Sequence, residues 1–364
     1  MIYIHVPFCR SFCTYCDFYS EVACKGRDKA AIAAWADGVC EEVVARQAEI
    51  GETLDLDTLY IGGGTPSVLP LSVLRRILDQ INTLRDGQRA GLAPQEKGAA
   101  SPGIARPQSH RYAEFTIEVN PEDVVERGEE YVRGLLELGV TRISMGVQSL
   151  DDGILRWMNR RHSADGARTA FKTIRAAAGE GALPCDVSVD LITGVPGMTL
   201  EILERTVEEV IGWRPEHISA YQLSIEEGSE LARMIERGEA VELDEEECRG
   251  QYDLVCGRLA EAGYHHYEIS NWALPGHEAI HNSAYWTRHP YVGPGPGAHS
   301  LAIAEGKQMR SWNSQKLSGW TMESETLTPE QIHTEEIMLL ARTDKGPIPE
   351  RDWFIADEII PDLL

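Results

Sequence analysis

The sequence predicts an α/β fold built on a parallel sheet, and two observations carry that prediction. Six short runs rich in β-branched and aromatic residues alternate with amphipathic stretches of helix length through the first 225 residues. Polar and glycine-rich residues gather just after those runs, at 62–65, 118–121, 148–149 and Asp190. In parallel α/β folds that edge binds ligands, because several strand ends converge there. Periodicity alone leaves open whether the sheet closes into a barrel or stays doubly wound.

The strand runs are 2–6, 59–61, 115–119, 142–147, 187–192 and 217–223, and the helical stretches are 30–49, 71–84, 124–138, 166–178 and 200–211. Pro121, Asp151 and Thr199 stand at expected helix starts, while Gly139, Gly179 and Gly212 stand at expected stops. Residues 86–112 break the rhythm with Gly, Pro, Ala and Ser, which predicts a peripheral surface insertion. Residues 1–225 are therefore expected to form the main unit and 226–364 an accessory region. In that region the acidic block ending at Glu247 should open a solvated helix running to Ala262. The segment 265–300 is crowded with histidines, aromatics and glycines, which suggests hairpins and close-packed loops around a second site. A helix is expected over 330–341, followed by a small or shortened terminal module.

A chain of 364 residues with 43% hydrophobic and 25% charged residues matches a soluble globular protein, not a fibrous or disordered one. No stretch approaches the length of a spanning helix, and no leader is visible at the N-terminus. The balance of 34 Lys+Arg against 58 Asp+Glu gives a formal charge of -24, which repels phosphate backbones and anionic lipid. Nucleic acid and membrane surfaces are thus not expected partners. The 8 cysteines are too few for a disulfide scaffold, and three fall close together, so a reducing cytoplasm is the expected location. Cys24, Cys40, Cys185, Cys248 and Cys256 read as incidental or buried thiols.

Cys9, Cys13 and Cys16 follow a C-x3-C-x2-C spacing. Three thiolates on a tight loop can hold three irons of a cubane cluster and leave the fourth without a protein ligand. Structural zinc would need a fourth ligand, for which His5 is the available neighbour, and a redox pair would not need Cys9. The glycine run Gly62, Gly63, Gly64 before Thr65 offers exposed backbone N–H groups and permits close approach by a ligand. It is not a phosphate loop, since the Gly-Lys-Ser/Thr ending is absent.

These motifs resemble those of radical S-adenosylmethionine (SAM) enzymes. The resemblance implies a partial (β/α)6 TIM-like barrel with a smaller, mostly helical α+β C-terminal region. It also implies a [4Fe-4S] cluster on Cys9, Cys13 and Cys16, whose open iron is chelated by SAM, with Tyr15 packing nearby. A reductant for the cluster is an implied partner. The likeness sharpens over Tyr3 to Cys9, Gly62 to Ser67, Glu118 to Pro121, Gly146 to Ser149, Asn159-Arg160 and Asp190 to Gly197. Together these resemble the oxygen-independent coproporphyrinogen III oxidase group. By that resemblance Tyr3, Gly63, Gly64, Thr65, Glu118, Gln148, Arg160 and Asp190 contact one or two SAM molecules, with Ser224 as a main-chain contact.

Two departures point away from the oxidase itself. That enzyme has a further cysteine two residues past its third, where this chain has Phe18, and an N-terminal extension where this sequence has Tyr3 almost at its start. Both features resemble the related heme-chaperone subfamily, as does His281-Asn282-Ser283-Ala284-Tyr285-Trp286 and the glycine loop at Gly293, Gly295 and Gly297. The resemblance implies heme as a ligand, with His281 the first candidate for its iron and His265, His266, His277 and His299 as rivals. It implies a heme chaperone serving an acceptor hemoprotein such as a membrane respiratory enzyme. The alternative is oxidative decarboxylation of coproporphyrinogen III by a 5'-deoxyadenosyl radical.

Overall fold

Six parallel strands stand side by side in chain order: β1 (Ile2–Val6), β2 (Thr58–Gly63), β3 (Glu114–Val119), β4 (Arg142–Gln148), β5 (Asp186–Thr193) and β6 (His217–Gln222). A doubly wound sheet reverses its strand order at a switch point, and this one never does, so the winding is that of a barrel. The barrel is partial. Beyond β6 the sheet continues with two antiparallel strands, β7 (His265–Glu268) and β8 (Asn271–Ala273), in the order β6-β8-β7, and β7 does not return to β1. The computed structural model describes residues 1–16, 18–22, 28–91, 111–179, 184–304 and 306–364. Cys24 and most of the expected insertion, 92–110, lie outside the described residues.

Alternation along the strands separates two environments. Outward positions such as Ile4, Ile61, Ile117, Ile143 and Val187 are at most 1% exposed and belong to the main apolar core. Inward positions are polar: Tyr60 on β2, Thr116 and Glu118 on β3, Ser144 on β4, Ser188 and Asp190 on β5, and Ser219 on β6. Closed barrels fill their interior with layers of Val, Ile and Leu. Here small hydroxyls leave a cavity of about 520 Å³ open at the strand C-terminal ends.

The helices follow local chemistry. Asp151 caps the helix Asp152–Trp157 by accepting from Gly153 and Ile154 N–H, and Thr199 caps Leu200–Trp213 through Ile202 N–H. That last helix runs past Gly212, and Arg214 takes the left-handed turn instead, at φ 53°. The expected single helix over 30–49 is two, Asp28–Ala45 and Gln47–Glu52, broken at Arg46. The Arg46 guanidinium is buried against Glu42, Glu49 and Ser300. Leu71–Gly91 extends into the expected insertion, so 86–91 is helix rather than loop. Asp244 and Glu247 form a capping box for Glu245–Glu261, the acidic helix the sequence predicts.

The accessory region shares the main core, to which Val255, Leu259, Tyr264, Trp272 and Val292 contribute. It adds a separate antiparallel sheet, β9 (His299–Ala304), β10 (Lys307–Asn313) and β11 (Met322–Thr326), then the helix Pro329–Leu340. A small second core gathers Ala341, Ile348, Trp353, Ala356 and Ile360. The glycine loop covers the free edge of β1, where Tyr3 N–H donates to Val292 O at 2.9 Å and His5 N–H to Pro294 O at 3.0 Å. A β-carbon on Gly295 would lie 2.7 Å from His5 O, so this approach requires glycine. Among the described residues no helix is long and apolar enough to cross a membrane.

Candidate functional site

The loop carrying the three cysteines leaves β1 and crosses the cavity mouth, and Cys9, Cys13 and Cys16 all line that mouth. The end of β2 fixes it from below. Gly64 N–H donates to Val6 O at 2.8 Å and Thr65 N–H to Phe8 O at 2.7 Å. A β-carbon on Gly64 would sit 2.8 Å from Phe8 O, 2.9 Å from Val6 O and 3.1 Å from Cys9 Sγ, so the contact is built for glycine. From the other side, Asn159 Nδ2 donates to Phe12 O at 2.6 Å and Thr14 N–H to Met158 O at 3.3 Å.

Side-chain donors reach the sulfurs themselves. Thr65 Oγ1 lies 3.5 Å from Cys9 Sγ, and Arg160 Nη1 lies 3.4 Å from Cys13 Sγ. Burial pushes the Cys9 thiol up, and these donors oppose that by favouring thiolate. Among the described residues no three His, Cys, Asp or Glu side chains converge on one point as a single ion requires. Three separate thiols around a mouth instead suit a cluster that takes one thiolate per iron, and the residues present fit that group.

Below the loop the strand ends bring carboxylates and one guanidinium together. Glu118 accepts from Tyr60 O–H at 2.7 Å and from Gly63 N–H at 3.0 Å, and burial raises its carboxyl to about 7, with the Asp190 charge adding to the rise. Asp190 accepts from Ser144 at 2.7 Å and is likewise pushed up by burial. Arg160 Nη2 donates to Asn120 Oδ1 at 2.6 Å and Gly146 O at 2.9 Å, while its buried Nε has no partner among the described residues. Gln148 takes φ 64° at the end of β4, an uncommon conformation for a side-chain-bearing residue. Two buried carboxylates held toward protonation, with a spare guanidinium N–H, complement a ligand bearing both a cation and a carboxylate, as SAM does.

Of the residues the sequence singles out, the cavity lining gathers Tyr15, Gly63, Gly64, Thr65, Glu118, Gln148, Arg160, Asp190 and Ser224 with the three cysteines. Tyr3 stands behind the lining, with its hydroxyl 3.1 Å from His5 Nδ1 and its ring 5.9 Å from that of Tyr60. Tyr60, Ser144 and Tyr221 also line the cavity and escape a sequence reading. Tyr60 and Ser144 each occupy an inward register position that only the folded sheet reveals.

His281 is elsewhere. The expected aromatic hairpin is a short helix, Ile280–Trp286, beneath the barrel floor, and His281 is 0% exposed there. Its Nδ1 is 2.9 Å from Thr58 Oγ1 and its Nε2 is 3.0 Å from Tyr285 O–H, so both ring nitrogens are engaged. Burial lowers its pKa to about 3, keeping the ring neutral. In this geometry both nitrogens are taken up inside the protein, and an iron bond from His281 would require the ring to leave these partners. The rivals are also off the lining: His266 stacks on Trp272 and contacts Glu350, His265 contacts Glu278, and His277 contacts Asp186. His299 is exposed and stacks on Trp312. Among the described residues the one histidine on the lining is His217, held by Ser188 at 2.8 Å and Tyr267 at 2.7 Å.

Comparison with known proteins places this geometry. The family model described as the Radical SAM superfamily matches residues 3–210. "Heme chaperone HemW" of Bacillus subtilis is 30% identical over 100% of this chain and 89% of its own. The protein of the same name from Mycobacterium tuberculosis is 34% identical over 95% of this chain and 82% of its own. Among solved structures, the Escherichia coli coproporphyrinogen III oxidase HemN, a radical SAM enzyme, superposes with TM-score 0.70 at 20% identity, over 100% of this chain and 81% of that one.

Proposed function

From the premise that the chain belongs to the radical SAM superfamily, in the group related to HemW and HemN, we propose that it is a heme-carrying protein on a [4Fe-4S]/SAM scaffold. The observation that carries the scaffold is the convergence of Cys9, Cys13, Cys16, Glu118, Arg160 and Asp190 on one cavity. Support for heme carriage comes from the near-full-length likeness to proteins named heme chaperones and from Phe18 in place of the oxidase's additional cysteine. Heme would be passed to an acceptor hemoprotein.

The chain's own residues have separable tasks. The three thiolates would hold the cluster, with Thr65 and Arg160 donating to two of the sulfurs. Glu118 and Asp190 receive the ligand's ammonium and hydroxyl groups, and Arg160 Nε is free to take its carboxylate. When bound and reduced, the cluster supplies the electron that SAM cleavage needs. Tyr60, Ser144 and Ser188 shape the chamber beneath and orient both carboxylates.

The second reading, oxidative decarboxylation of coproporphyrinogen III, is favoured by that same chamber. A carrier needs a surface for heme, whereas a deep chamber beside a SAM site is what substrate chemistry uses. Anaerobically reconstituted protein should be given hemin in one arm and SAM, reductant and coproporphyrinogen III in the other. Stoichiometric hemin binding with transfer to an apo-acceptor, and no decarboxylated porphyrinogen, is the expected result. Porphyrinogen turnover without heme transfer would replace the first reading by the second.

A further inference from the structure

Two large apolar side chains flank the cluster loop and face outward. Phe12, between the first two cysteines, is 54% exposed, and Phe18, two residues past the third, is 64% exposed. Both line the cavity mouth, as does Tyr221, itself 42% exposed. Large rings left in water at the entrance to a site mark a recognition surface more often than chance exposure does. Their backbones are not frayed. Asn159 holds Phe12 O, His5 Nε2 holds Tyr19 O at 2.9 Å beside Phe18, and Glu21 N–H holds Pro7 O at 2.7 Å.

A cation stands at the same rim. Arg161 lines the mouth, and among the described residues it pairs with Glu122 at 3.7 Å, a loose pair that an incoming carboxylate can displace or share. Arg10 is tied to Asp123 at 3.3 Å and to Glu126, so it is less free. Aromatic faces beside a loosely held guanidinium complement a flat apolar ligand that carries acid groups on its edge.

We infer that heme docks face-on at the cavity mouth, against Phe12 and Phe18, with a propionate on Arg161 and with no iron bond from His281. This rests on the heme-carrying reading and supplies its site. Both nitrogens of His281 and of His217 are engaged, so a docked heme gains its contacts from its faces and edge. A shallow site without a protein–iron bond also suits a carrier, because release then breaks no coordination bond.

The test is hemin titration, followed by absorption, on the cluster-reconstituted protein and two double variants. Phe12→Ser with Phe18→Ser removes the rings at the mouth. Ile303→Ser with Met309→Ser removes two comparably exposed apolar side chains, 39% and 38%, on the distant three-stranded sheet. The mouth variant should bind hemin at least about tenfold more weakly with unchanged iron and sulfide content, and the distant variant should bind as wild type. Arg161→Gln should weaken binding by about threefold, less at high salt. Wild-type affinity in the mouth variant overturns the docking site while leaving heme carriage intact. Equal losses in both double variants reduce the binding to nonspecific adsorption and also overturn it. No hemin binding by wild type removes the heme-carrying reading itself.

Discussion

The carboxylate of Glu114 accepts the amide N–H of His281 at 2.9 Å through one oxygen. Its other oxygen takes Ile280 N–H at 3.0 Å and Arg142 Nε at 3.1 Å. A carboxylate on the first amides of a helix satisfies donors that have no partner within it. The Ile280–Trp286 helix is thereby seated on the N-terminal floor of the barrel, opposite the cysteine loop. Its histidine and tyrosine pack together under that floor, His281 against Thr58 and Tyr60 and Tyr285 against His281.

His281→Ala should therefore act on stability. It leaves the hydroxyls of Thr58 and Tyr285 without their buried partner and opens a void, which together cost about 2–4 kcal/mol. Denaturant unfolding should show that loss, while hemin affinity and iron coordination in the folded protein stay at wild-type values. A changed heme spectrum at unchanged stability would restore the ligand role.

Glu118 sets a pH dependence whose sign follows from its environment. Burial raises its folded pKa from 4.5 to about 7, so the folded state binds more protons than the unfolded chain between those values. Its contribution is fully present below about pH 4.5 and is lost as the pH rises through about 7. Glu268, which burial also raises to about 7, adds to the same slope. Buried His281, lowered from 6.5 to about 3, contributes the opposite slope, so the readout is the difference: between pH 5 and pH 8 the unfolding free energy of cofactor-free Glu118→Gln should change with pH in a more positive sense than that of wild type. A slope unchanged by the substitution would contradict the assignment.

Gly64→Ala places a methyl against two carbonyl oxygens and Cys9 Sγ, and backbone cannot yield as a flexible side chain can. The loop must shift, at a cost of about 1–3 kcal/mol, and cluster retention should fall sharply. Iron and sulfide analysis after reconstitution checks this. Gly63→Val is a harsher change, since φ is +108° there and its β-carbon would meet the His5 ring at 2.6 Å. It should misfold the strand end rather than simply block a ligand.

What the sequence made legible was whatever local pattern controls. The six parallel strands were visible because their outward faces are continuous apolar runs, and caps such as Asp151, Thr199 and Asp244 announced their helices. Spacing exposed Cys9, Cys13 and Cys16, because one loop supplies all three. Tyr60 and Ser144 were hidden, since a single polar residue in a strand has no local sign of facing a cavity. His281 is hidden for the opposite reason. Its ring partner Thr58 lies far away in sequence, so the ring looks free until the chain is folded. Gly295 was visible as a glycine, but not as the residue that lets a loop cover β1.

The central claim is that the cavity holds a cluster with one iron open to SAM. Electron paramagnetic resonance of the anaerobically reconstituted, dithionite-reduced protein tests it most directly, with and without saturating SAM. The account predicts a [4Fe-4S] signal that SAM shifts, and that Cys13→Ala abolishes. A reduced-cluster signal that SAM leaves unchanged, or that persists in all three single cysteine variants, would contradict it.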